Sequence, residues 1–344
     1  MTTTLRHPVQ GRPVWTGDEM AGRTDWIHRL QPAEIVELEA ALTTAKARAA
    51  RLFTMTRDDF PLPGLGAWLA ELRDELDEGR GFQLLRGLPV ERYSLEDARL
   101  LFWGLAVHLG EPEPQDGAGN LMHDIRDTGQ KVENTANIRG FQTNDELQFH
   151  NDGGDAFMLL CLRTAISGGT SKLVSVAALF NAVLARRPEL TEVLQQPFHF
   201  DARSQQASGR PNVQVVPLLL WHAGRLHAIH KRGYIRTAQR FEDVPQLTPT
   251  QEAALDLVDE LCADPAFHLS FEMAPGDIQL GSNHAVLHSR TNYRDHDEPA
   301  LKRHLLRVWV TLPNGRPLPP EFETTREFCH TYARRMQRQV AIAE

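Results

Sequence analysis

Hydrophobic spacing divides the chain into two textures. From Pro32 to about Leu52, Ile35, Leu38 and Leu42 keep helical intervals behind a proline in the first turn. From about Leu65 to Glu78, Trp68, Leu69, Leu72 and Leu76 form one stripe, and Gly79 stops it. Gly81 to Leu85 predicts a short strand. Ser94-Leu95-Glu96-Asp97 resembles a capping box and opens a helix that ends near Gly110. The first 30 residues, with scattered Gly, Pro and Trp, predict loop. From Leu147 onward, short apolar runs alternate with Gly, Pro, Asn and Asp. Strands are predicted at Leu147–His150, Phe157–Arg163, Lys172–Val176, Val213–Trp221, Arg225–His230, Phe267–Met273, Ile278–Gly281, Ala285–His288 and Arg303–Leu312. Helical inserts are predicted from about Ala177 to Gln195 and from Thr248, where a capping box is followed by Pro249 at the first helical position. This order predicts a mainly β fold with helices, built on an antiparallel barrel or jelly roll.

Composition narrows the function without choosing it. No apolar run reaches the 18 or so residues that cross a bilayer, and the first residues lack the apolar core of a secretory signal. The expected compartment is the cytoplasm. Three separated cysteines, Cys161, Cys262 and Cys329, make neither a disulfide framework nor a CxxC metal pair. A net charge of −8 disfavours nucleic-acid and anionic-membrane partners. The basic run Arg334-Arg335-Met336-Gln337-Arg338 reads as a solvated helix face. No strand is followed by a Rossmann glycine fingerprint, and no GxxxxGK[ST] occurs. Ser167 and Ser289 lack the GxSxG elbow of serine hydrolases.

The residues that point to chemistry are His150, Asp152 and His288. His150 ends a short alternating segment, and in a strand residues two apart share a face, so His150 and Asp152 can address one point. His288, in the later segment Ala285-Val286-Leu287-His288, supplies a third ligand. Two histidines and one carboxylate on one side of a metal leave three positions open, the facial arrangement of non-haem iron(II) oxygenases. Among 15 histidines and 45 acids a His-x-Asp pair arises easily by chance, so the pair alone decides little. The final strand adds a second signal. Positions 303, 305, 307 and 309 share one face, and that face carries Arg303 and Arg307 in an otherwise apolar segment. A buried guanidinium needs a partner, and carboxylates suit its bidentate geometry. An acid of the protein and a bound keto acid both satisfy that need.

Five pieces then occur in one order: Phe149-His150-Asn151-Asp152, Gly168-Gly169-Thr170-Ser171, Pro275-Gly276-Asp277-Ile278, Asn283 through His288-Ser289-Arg290, and Arg303-His304-Leu305-Leu306-Arg307. In this order the chain resembles the taurine dioxygenase-like family of iron(II)/2-oxoglutarate oxygenases, from about Gly81 to Pro317. The resemblance implies a double-stranded β-helix (jelly-roll) core with N-terminal and inserted helices. Its segments would be 1–80, a loop and helical segment packed on the core, 81–320, the oxygenase domain, and 321–344, a C-terminal helix. It implies Fe(II) held by His150, Asp152 and His288, with 2-oxoglutarate and O2 as co-substrates. It implies that Arg303 binds the distal carboxylate of 2-oxoglutarate, helped by Ser171, which stands where the family usually has threonine. Arg303 lies slightly farther from the distal histidine than in the taurine enzyme, and Arg307 is its rival. In that enzyme a second arginine holds the substrate's anionic group, the role open to Arg307 here.

Arg290 and Asn151 are further candidates for contact with the substrate, and Asn144 and Asp155 flank the motif, although such residues often cap turns. His222, His227 and His230 read as ordinary polar or core residues rather than a second metal site. The implied activity is oxidation, chiefly hydroxylation, of a C–H bond in a small organic substrate, with release of succinate and CO2. No catalytic residue beyond the metal centre is needed. The alternatives are a metal-dependent isomerase or hydrolase on a cupin-like barrel, which would not need Arg303, and a non-catalytic binding protein, which would not need the triad. Oligomeric state is unread, homo-oligomers being common.

Overall fold

In the computed structural model, residues 4–129, 139–205, 209 and 211–343 are described, with backbone alone for 339–343. The strands that build the site are β1 (Ile27–Arg29), β2 (Phe82–Arg86), β3 (Glu111–Glu113), β4 (His123–Ile125), β5 (Leu147–His150), β6 (Ala156–Arg163), β7 (Ser171–Ser175), β8 (Leu269–Phe271), β9 (Ile278–Ser282), β10 (Val286–Arg290) and β11 (His304–Thr311). The larger sheet runs β1-β2-β9-β6-β11-β3, with β4 also on β11; the smaller runs β8-β7-β10-β5. All these pairings are antiparallel except β1 with β2.

Period-2 alternation assigns the faces. In β6, Met158 and Leu160 turn one way with Leu306, Val308 and Val310 of β11. They pack on three helices, Pro32–Ala47, Leu65–Asp77 and Leu95–Leu109, through residues such as Leu38, Leu72 and Phe102. Phe157 and Trp309 turn the other way and join Phe82 and Leu84 against Leu173, Leu269 and Val286 of the smaller sheet. The outer face of the smaller sheet, with Val174 and Leu287, is covered by helices at Val176–Arg186, Pro188–Leu194 and Pro249–Ala263. The order is therefore helices, larger sheet, smaller sheet, helices. Apolar side chains on both faces of β11 follow from its place between two packed layers, and all eight of its residues are buried.

The molecule is a mixed helix-and-sheet fold, with more helix than the mainly β expectation. Two expected elements divide. The insert at 177–195 breaks at Pro188, whose ring cannot continue the first helix. The run 213–221 becomes two strands, Val213–Pro217 and Leu219–His222, because Pro217 offers no N–H to a further ladder. The C-terminal helix begins only at Cys329, after a short 3-10 turn at Pro320–Thr324. No helix among the described residues is long and apolar enough to cross a membrane.

The basic run in that last helix is not a solvated face. Arg335 is buried and donates to Asp155 and to the carbonyl of Arg316, while Arg334 and Arg338 pair with Glu111. Asp155 also accepts from the Leu312 amide at 2.8 Å and contacts His284 Nε2 at 3.1 Å. The helix is thus fastened to the loop that follows the His-x-Asp motif. Arg335→Ala should leave Asp155 buried without its cation and cost about 3–5 kcal/mol of unfolding free energy. Arg338→Ala, whose side chain is 31% exposed and meets the half-exposed Glu111, should cost under ~1 kcal/mol. Urea denaturation of the two variants checks this, and equal small losses would contradict it.

Candidate metal centre

His150 ends β5 and His288 lies opposite it in β10, as register partners across the smaller sheet. Their rings are 4.2 Å apart between centroids. Asp152 lies past the end of β5, so strand alternation does not place it. Two asparagines do. Asn283 accepts the Asp152 amide at 3.0 Å and donates to the Gly153 carbonyl at 2.6 Å. Asn151 turns away from the site: its amide donates to the carbonyls of Ala228 (3.0 Å) and Asn283 (3.2 Å), and its oxygen accepts from the His230 amide at 2.7 Å. The substrate contact expected of Asn151 is thus replaced by backbone bracing. Gly153 lets this loop press on β11, since a Cβ there would stand 2.7 Å from the Trp309 ring.

The three side chains form the one His, Cys, Asp or Glu group of metal-holding geometry among the described residues, with one ligand atom from each within 4.8 Å of the others. His222, His227 and His230 form no second one. His150 Nε2 is 3.9 Å from Asp152 Oδ1, and His288 Nε2 is 3.7 Å from Oδ2. His150 Nδ1 faces the Gln148 carbonyl at 2.8 Å. A carbonyl only accepts, so Nδ1 carries the proton and Nε2 presents its lone pair. Burial pushes both imidazoles below the usual histidine range, His288 further, helped by the facing His150. Burial alone would raise Asp152, but Arg307, the imidazoles and Lys231 outweigh it and hold the carboxylate ionised. Two neutral nitrogen donors and one anionic oxygen suit a divalent first-row metal.

The cavity before the triad is lined from both sheets by Leu159, Ser171, Gln279, Arg290, Arg303, Leu305 and Arg307, among others. The sequence-derived arginines divide here. Arg307 donates from one Nη to both Asp152 oxygens, at 3.1 and 3.0 Å, and from Nε to Gln115 at 2.7 Å. Arg303, just before β11, is 6% exposed and leaves a buried Nη1 with no protein partner. Its backbone amide is held by Asp295 at 2.7 Å, and its guanidinium lies 5.0 Å over the Tyr293 ring. Gly169, with φ +80°, belongs beside it: a Cβ there would meet Arg303 Nε at 3.2 Å. Arg290 stacks on the same Tyr293 at 4.6 Å and donates to the carbonyls of Thr143, Asp145 and Thr291. Burial, then the charge of Arg303, push Arg290 down to about 10. Ser171, in β7, is buried and lines the same cavity.

Sequence reading did not find Gln115, Lys231, Tyr293 or Glu327. None of the four belongs to a recognisable motif. Asn144 contacts the Tyr293 carbonyl at 3.3 Å, a bracing contact of the same kind as those of Asn151. Replacing His150 or His288 with Ala should remove a nitrogen donor and lower iron(II) affinity by at least tenfold, with far-ultraviolet circular dichroism unchanged. Retention of stoichiometric iron by both variants would contradict the centre.

The profile of the family described as "Taurine catabolism dioxygenase TauD, TfdA family" matches residues 43–309, farther toward the N-terminus than the motifs reach. FR-33289 synthase of Streptomyces rubellomurinus is 30% identical over 334 residues, 95% of this chain and 97% of that protein. The taurine hydroxylase-like protein SAT17 of Stachybotrys chartarum is 31% identical over 308 residues, 86% and 77% of the two chains. Among solved structures, asparagine oxygenase in complex with Fe(II), 2S,3S-3-hydroxyasparagine and succinate superposes with TM-score 0.65 at 18% identity, over 83% of this chain and 93% of that one. The non-heme iron oxygenase OrfP with Fe and alpha-ketoglutaric acid gives 0.61 at 19%, over 83% and 94%. These two show a shared fold. The chain belongs to the TauD/TfdA family and is an Fe(II)/2-oxoglutarate-dependent dioxygenase.

Proposed function

We propose that the protein hydroxylates a C–H bond of a small organic substrate at an iron(II) held by His150, Asp152 and His288, on a double-stranded β-helix core. The reaction balances as substrate, O2 and 2-oxoglutarate giving alcohol, succinate and CO2. Iron supplies the oxygen activation when bound. The chain's own groups hold and orient. Neutral Nε2 atoms of His150 and His288 and the ionised Asp152 provide the donor set. Arg303, with Ser171 beside it, takes the distal carboxylate of 2-oxoglutarate, and Tyr293 fixes the guanidinium plane. Arg290 keeps its backbone contacts and adds positive charge to that end of the cavity. Arg307 orients Asp152 and faces the organic substrate.

The observation that carries this reading is the pairing of the triad with Arg303: a buried cation with an unpartnered Nη1 in the same cavity as three ready ligand atoms. An unpaired buried charge is costly unless a ligand meets it, and a chelating keto acid with a far carboxylate meets both ends. An isomerase or hydrolase on a similar barrel would have no use for that cation. FR-33289 synthase, asparagine oxygenase and OrfP supply the analogy for a small-molecule substrate, with amino acids in the structures of the last two.

Anaerobic addition of 2-oxoglutarate to the iron(II) protein should produce the weak visible charge-transfer band of a chelated keto acid. Arg303→Leu should weaken that binding by about 2–5 kcal/mol, or roughly 30-fold to several-thousand-fold. Iron affinity should hardly change. Arg307→Leu should act chiefly on the organic substrate. If Arg307→Leu weakens 2-oxoglutarate binding and Arg303→Leu does not, the two roles are reversed.

A further inference from the structure

His150 ends an edge strand. β5 is the last strand of the smaller sheet, so β10 is its one ladder neighbour there, and their register shifts between His288 and Arg290. Along the other edge of β5 runs the segment that follows the strand Arg225–Ala228. There Lys231 makes an antiparallel bridge to His150, and the carbonyl of His230 accepts the Asn151 amide at 3.3 Å. This segment is fastened by a buried charge: Lys231 is 6% exposed, and its Nζ donates to Glu327 at 2.6 Å.

Glu327 holds the far end of the motif as well. It lies in the link before the last helix, with its side chain fully buried. Gln214 and Arg326 also donate to its carboxylate, at 2.8 and 3.1 Å. Burial works against its charge, and Lys231 and Arg326 outweigh that effect. Its backbone carbonyl accepts the Gly154 amide at 2.9 Å, two residues past Asp152. Gly153 permits this approach, since a Cβ there would stand 2.7 Å from the same carbonyl oxygen. The contacts close a circuit: His150 to Lys231, Lys231 to Glu327, Glu327 to Gly154, and along the chain through Asp152 back to His150.

A buried ion pair adds little net stability over apolar side chains of the same size, but it fixes a distance and a direction. Neither side chain lines the cavity before the triad, so contact with the co-substrate does not account for them. We propose that Lys231 and Glu327 are positioning residues for the metal centre: their ion pair sets the spacing of His150 and Asp152, and its loss weakens iron(II) binding independently of folding. The role presupposes the triad as iron ligands, the reading on which it rests. Charge alone predicts the opposite for Lys231. Its cation acts on His150 and Asp152, and a cation repels iron(II), so without a positioning role its removal would tighten metal binding.

Iron(II) affinity is measured without oxygen, by competition with a coloured chelator, in wild type and three variants; urea denaturation and circular dichroism report the fold. Lys231→Met leaves Glu327 with Arg326 and Gln214, so no buried acid is stranded. It should weaken iron(II) binding roughly tenfold to a hundredfold, against the sign of the charge effect. Glu327→Asp keeps every charge and withdraws the carboxylate by one methylene; it should also lose on the order of tenfold. Leu72→Ala, in the helix-backed core, shows what destabilisation alone does: stability should fall and iron(II) affinity should stay at the wild-type value. Wild-type or tighter affinity in either Lys231→Met or Glu327→Asp overturns the positioning role and spares the triad. An equal loss of affinity in Leu72→Ala does the same. Failure of wild type itself to bind iron(II) overturns the triad and the role together.

Discussion

A carboxylate that stays ionised where almost no water reaches it sets the terms for the rest of this structure. Asp152 is 4% exposed, and burial works against its charge. Arg307 answers it with one Nη on both oxygens. Arg307 is itself buried, so it needs Gln115 at its Nε, and Gln115 in turn also donates to the carbonyls of Leu121 and Arg307. Each buried polar group calls for the next, because leaving any one unmatched costs more than the contact itself contributes. The two sheets hold this chain between rigid ladders, with apolar packing beyond them.

The same logic explains why the motif loop is braced so heavily. Asp152 lies just past the end of a strand, where backbone freedom would smear its position. Asn283 and Asn151 tie the loop to β10's approach and to the segment at 228–230. Asp155 ties it to the C-terminal helix through Arg335. Ligand atoms need placement within fractions of an ångström, and these contacts supply it from three directions. An asparagine inside a metal-binding motif invites assignment to the substrate. Here its donors and acceptor go to backbone groups.

Much of the fold was legible because its signals are local. Alternation along 303–310 assigned faces correctly: Leu306, Val308 and Val310 entered the helix-backed core, while Leu305, Arg307 and Trp309 faced the smaller sheet. Caps and prolines marked the helices at Pro32, Leu95 and Pro249 within a few residues. His150 and His288 were readable as strand residues. What alternation could not show was that β5 stops at His150, so the argument that set Asp152 beside His150 arrived at the observed cluster through the wrong geometry. The burial of Arg335 was hidden for a related reason. A run of like charges reads as solvated unless the partner is known, and Asp155 is 180 residues away.

Gln115, Lys231 and Glu327, which sequence reading missed, share one property: each acts through a contact distant in the chain. Gln115 meets Arg307, and Lys231 meets Glu327. None carries a motif, since any glutamine or lysine at these positions looks like surface until the fold buries it. The triad and Arg303 line one cavity between the two sheets. The residues around Tyr234 and Arg326 come from a short helix and from the link before the last helix, outside the ladder strands that position the ligands. The ladder hydrogen bonds of β5 and β10 hold the two histidines opposite each other, and the bridge from His150 to Lys231 ties β5 to the start of that short helix as well, so the His150 end of the triad is braced from both sides.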